Sequence, residues 1–72
     1  MPAVSGRKLG RDLVVGDCLD TWCGAKTITH FEVHPGLTDG LGVFHSARIA
    51  CSGEWGMTIF DDDWEDVFAC GR

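Results

Sequence analysis

Four cysteines and three histidines carry the reactive side chains of this 72-residue chain: Cys18, Cys23, Cys51, Cys70, His30, His34 and His45. In number they suffice for zinc, which is held by thiolate and imidazole ligands that usually come in closely spaced pairs. Cys18 and Cys23, with four residues between them, could form half of such a site. No second close pair exists, and Cys51 and Cys70 stand alone, so the expected reading is buried free thiols with no metal or other cofactor. His30 and His34 would share one face of a helix. Their surroundings read as a strand, on which they stand about 13 Å apart. Cys51 and His45 have the residue types of a nucleophile and its base, yet along one strand they lie about 20 Å apart. A phosphate-binding glycine loop, a serine elbow and an HExxH motif are all missing from the sequence, so an enzyme is not expected.

The acidic run Asp61, Asp62, Asp63, Trp64, Glu65 and Asp66 is the most informative feature. A calcium loop would alternate carboxylates around a glycine, and no glycine interrupts this run. A solvated loop with Trp64 tucked against the core is one reading. The other is a recognition face, in which closely spaced carboxylates imitate nucleic-acid phosphates and Trp64 anchors the partner. Glu54 and Trp55 could extend that face, although Trp55 is equally suited to the core.

Charge supports a protein partner over a nucleic acid. The net charge is −5, and between Glu54 and Asp66 there are six acids and no base. Direct binding to a phosphate backbone needs the opposite balance. The positive side chains Arg7, Lys8 and Arg11 cluster near the N-terminus. Apolar residues make up 44% of the chain, with three Trp and four Phe, which is core material for one domain. No apolar stretch approaches the roughly 20 residues that span a bilayer, and no export signal is apparent, so a cytoplasmic protein is expected, with its thiols reduced.

The elements that must position these residues read as strands. Residues 1–10 show no sustained periodicity and are expected to be a flexible or late-docking arm, leaving 11–72 as one domain. Cys18 to Trp22 reads as a short strand, and Cys23-Gly24-Ala25 as a hairpin turn. Lys26 to Val33 is rich in β-branched residues and alternates, placing Thr27, Thr29, Phe31 and Val33 on one face. Pro35 to Gly42 reads as a loop partly anchored by its leucines. Val43 to Cys51 alternates again, with Val43, Ala47, Ile49 and Cys51 inward. Met57 to Phe60 pairs back, the acidic excursion follows with room for one helical turn, and Val67 to Cys70 closes the sheet. The pattern predicts an all-β fold, a small open barrel or roll of about five short antiparallel strands.

The segment Leu13-Val14-Val15-Gly16-Asp17-Cys18-Leu19, followed by a hairpin and a Thr/Ile strand, resembles the opening of SH3-like and KOW-like small β-barrels. The turn Ser52-Gly53-Glu54-Trp55-Gly56 before Met57-Thr58-Ile59 is similar to the layout of short uncharacterised proteins of phages and their proteobacterial hosts. Among small acidic phage proteins are inhibitors of host defence complexes, including anti-CRISPR proteins. That resemblance implies a phage-type inhibitor, acting as a DNA mimic or on a subunit surface in the bacterial host cell. The alternative is a structural or adaptor module of a larger bacterial or phage assembly. Under both readings the partner is a protein with a basic surface, met through Asp61, Asp62, Asp63, Trp64, Glu65, Asp66, Glu54 and Trp55, with no direct nucleic-acid or membrane contact.

Overall fold

A computed structural model describes residues 4–68, with side chains for 6–68. The fold is all-β, as the alternation predicts, and no α-helix occurs among the described residues. Among the described residues nine strands replace the expected five: two of the longer runs break where the chain passes between sheets, and two further strands form in the segments expected as an arm and a loop. They are β1 (Val4–Leu9), β2 (Cys18–Thr21), β3 (Gly24–Thr27), β4 (His30–Val33), β5 (Leu37–Thr38), β6 (Phe44–His45), β7 (Ala47–Ser52), β8 (Trp55–Phe60) and β9 (Trp64–Phe68). A short 3-10 turn, Gly10–Asp12, joins β1 to the segment before β2. One antiparallel sheet runs β1-β9-β2-β3, a second runs β4-β7-β8, and β5 with β6 forms a separate hairpin.

The core lies between the two larger sheets. Leu13, Leu19, Ile28, Ala50, Ile59 and Val67 are buried together, with Phe31 and Met57 packed at its margin. Sheet membership explains the choice: Leu19 and Val67 face each other across β2 and β9, whereas Ala50 and Ile59 come from β7 and β8. Ile28 is the joint. Its N–H donates to the Asp17 carbonyl at 2.8 Å, while the Thr29 N–H donates to the Cys51 carbonyl at 2.7 Å. Successive residues thus bond to the segment leading into β2 and to β7.

That joint corrects several expected positions. The run Lys26 to Val33 is two strands, and Ile28 at their junction is buried in place of the neighbouring threonines. Phe31 is half-buried, but Val33 at the end of β4 is 93% exposed. Val43 is exposed before β6, Ala47 is buried, and Ile49 is half-buried. Leu37 and Leu41 project to solvent and do not anchor their loop. The acidic excursion is a turn and not a helix, since β9 begins at Trp64.

The N-terminal segment also differs from the expected arm. Val4–Leu9 pairs antiparallel with β9, placing Arg7 opposite Asp66 and Leu9 opposite Trp64. Its irregular pattern has a structural cause, a register shift between Val4 and Gly6. Cys18, expected as a free thiol, is disulfide-bonded. Cys18 stands opposite Phe68 of β9, a long-range pairing that sequence spacing does not display. Cys23 is free and exposed, and Cys51 is free and buried. The pairing expected to close the sheet at Ala69 and Cys70 lies outside the described residues.

Candidate partner-binding face

The acidic turn between β8 and β9 is tied down by its backbone. The Asp61 N–H donates to the Ser46 carbonyl at 2.9 Å, and the Asp63 N–H donates to the Phe60 carbonyl at 3.2 Å. From the other side, the Gly10 and Arg11 N–H groups donate to the carbonyls of Asp63 and Asp61 at 2.8 and 3.1 Å. Gly10 permits this approach because a Cβ there would run into the Phe60 carbonyl and the Ile59 side chain. With the main chain held, the Asp62 and Asp63 side chains project outward. Trp64, the first residue of β9, is 56% exposed and does not tuck onto the core.

Arg7 changes the electrostatics of this face. Its Nε reaches Asp66 Oδ1 at 3.3 Å, and its guanidinium carbon lies 5.6 Å from the centroid of Trp64. The cation therefore sits between two members of the acidic run, so the face is less uniformly negative than its sequence. Glu65 points to the other side of β9 and is half-buried. Burial pushes its carboxyl pKa up, and the charges of Asp63 and Asp66 add to the rise.

The hairpin β5–β6 lies beside the turn, and together they form a cleft of about 240 Å³ lined by Leu37, Asp39, His45, Phe60, Asp62 and Asp63. Asp39 organises the hairpin. Its Oδ1 accepts from the Leu41 and Val43 N–H groups at 2.8 and 3.0 Å. Its Oδ2 stands 2.8 Å from His45 Nε2, and His45 Nδ1 is 3.7 Å from Asp62 Oδ2. The hydrogen bond to Asp39 raises the His45 pKa, and the Asp62 charge adds to it. The same hydrogen bond, with those from Val43 and Leu41, lowers the pKa of Asp39. An Asp–His pair can activate a nucleophile, but serine, threonine and cysteine are not among the residues lining this cleft.

The structure separates Glu54 and Trp55 from the rest of the predicted face. They sit at the opposite end of β8 from Asp61, about 20 Å along the strand. Trp55 leans on Trp22 of the β2–β3 hairpin, with ring centroids 5.6 Å apart. Its Nε1 is buried without a hydrogen-bond partner among the described residues. The residues that sequence reasoning missed are Arg7, Leu37, Asp39, His45 and Phe60. Only the Asp39 and His45 pair left a trace in sequence, as an acid and a histidine flanking a glycine-rich turn.

Comparison of the chain with protein-family models, with curated proteins and with solved structures finds no match. Among the described residues, no helix is long and apolar enough to cross a membrane.

Proposed function

We propose that this chain is a non-enzymatic binding module that docks a protein partner with a basic, partly apolar surface. The observation that carries the reading is Trp64, exposed beside Asp62 and Asp63 on a turn held by four backbone hydrogen bonds. A pre-organised turn loses little conformational freedom on binding, and an aromatic at the centre of an interface supplies a disproportionate share of its energy. Exposed apolar side chains on the neighbouring hairpin, Leu37, Leu41, Val43 and Phe44, add contact surface. The carboxylates steer a basic partner toward it.

The narrower reading is a phage-type inhibitor that occupies the nucleic-acid surface of a bacterial defence complex. The acidic turn supports it, together with the likeness in layout to short phage proteins. The adaptor reading draws support from the apolar hairpin, which suits a lasting subunit contact as well as an inhibitory one. Nucleic-acid competition distinguishes the two. With a partner bound to the immobilised chain, added duplex DNA or RNA displaces it if the nucleic-acid surface is occupied, and leaves an adaptor complex intact.

A further inference from the structure

We propose that His30, Glu32 and Cys51 form a binding site for a divalent transition-metal ion of the zinc class. The register of β4 with β7 sets His30 directly opposite Cys51, and Glu32 follows His30 on the same face of β4. One ligand atom from each of the three lies within 4.8 Å of the other two. Ligands on a tetrahedral zinc are separated by about 3.3 to 3.8 Å, given metal bonds of about 2.0 to 2.3 Å. His30 Nε2 and Glu32 Oε2 already stand 3.5 Å apart. Small side-chain rotations bring in the thiolate.

Hydrogen bonding around Thr29 prepares the imidazole. The Thr29 hydroxyl lies within donating distance of the Cys51 carbonyl, at 3.2 Å, and accepts from the Gly53 N–H at 3.1 Å. The same oxygen stands 3.0 Å from His30 Nδ1. A hydroxyl has one donor and two acceptor sites, so when its proton lies on the Cys51 carbonyl, Nδ1 is the donor to Thr29. In the neutral ring, Nε2 then keeps its lone pair on the side of Glu32. Histidine ligands to metals are commonly fixed in this way, through a hydrogen bond from the other ring nitrogen.

The donor set selects the ion. One imidazole nitrogen, one carboxylate oxygen and one thiolate suit borderline zinc better than magnesium or calcium, which prefer oxygen alone. A thiolate and a carboxylate together cancel a divalent charge, so the occupied site is neutral. The His30 and Glu32 side chains are 48% and 61% exposed, whereas Cys51 is buried. The ion therefore reaches the site from solvent and keeps a water as its fourth ligand. Cys18, Cys23 and His34 take no part. The site is assembled across two strands whose cysteine and histidine are 21 residues apart.

Cobalt(II) titrated into the full chain, stripped with chelator and kept free of reductant, tests this. The expected result is a thiolate-to-cobalt charge-transfer band that saturates at one ion per chain and is displaced by zinc. Cys51→Ser abolishes the band and Cys23→Ser retains it. His30→Gln and Glu32→Gln weaken binding about ten-fold or more. These two side chains are 48% and 61% exposed, so their variants decide the matter even if Cys51→Ser unfolds. Absence of a saturable band in the parent protein, or wild-type affinity in both His30→Gln and Glu32→Gln, overturns the proposal.

Discussion

The Arg7 guanidinium lies over the ring of Trp64, 5.6 Å from its centroid, and so couples the N-terminal strand to the aromatic of the candidate face. Arg7→Gln removes both this contact and the ion pair with Asp66. Because both charged side chains of that pair are more than half exposed, the stability loss should stay under about 1 kcal/mol. The Trp64 ring resonances should shift while those of Trp22 and Trp55 hold. Urea denaturation and proton NMR check the two parts.

The Asp39 and His45 pair gives the hairpin a defined pH window. The His45 pKa is raised above 6.5, so its contribution is complete below that value and is lost as pH rises through the folded pKa. The Asp39 pKa is lowered below 3.8, so its contribution is present above that value and is lost as pH falls through the folded pKa. The hairpin should be firmest between those limits. An NMR titration should place the His45 midpoint above 6.5 and move it down in Asp39→Asn. Amide exchange at Leu41 and Val43 should quicken in Asp39→Ala, which lacks the accepting carboxylate.

The core assignment separates two β-branched residues that sequence alternation does not rank correctly. Ile59→Ala empties a site that is 1% exposed and should cost about 2 to 5 kcal/mol. Val33→Ala alters a solvent-facing side chain and should stay within about 0.5 kcal/mol of the parent. Equal losses in the two variants would contradict the sheet assignment.

Cysteine reactivity should fall into three grades. In chelator and without reductant, exposed Cys23 should alkylate quickly. Cys51 should react slowly, since burial raises its thiol pKa and the Glu32 charge adds to the rise. Cys18 should react only after reduction, because it is disulfide-bonded. Peptide mass mapping after timed alkylation distinguishes the three.

Alternation at Lys26 to Val33 and Val43 to Cys51 was enough to read strands and an all-β class. It was not enough to read faces, because parity carries through a run only while the strand stays in one sheet. At Ile28 the chain changes sheets, and the inward positions change with it. The acidic turn and Trp64 were legible because charge and an aromatic adjoin in sequence. The approach of Arg7 and His45 to that turn was not, since β1 meets β9, and His45 meets Asp62, only through long-range pairing. The cluster at His30, Glu32 and Cys51 was hidden for the same reason. Ligand spacing along a chain detects sites within a loop and misses those assembled across strands.

Whether Asp62, Asp63 and Trp64 form a docking face is decided by comparative capture. Immobilised parent protein and three variants are exposed to one bacterial lysate, and the bound proteins are quantified by mass spectrometry. Asp62→Lys with Asp63→Lys reverses the turn, Trp64→Ala removes the anchor, and Asp20→Lys with Glu54→Lys makes the same charge change away from the face. If this is the face, a protein is held by the parent and by the Asp20 and Glu54 variant, lost from the turn variant, and released about 30-fold faster by Trp64→Ala, as a hot spot of about 2 kcal/mol requires. The same set of captured proteins for all four, an empty set included, would contradict it.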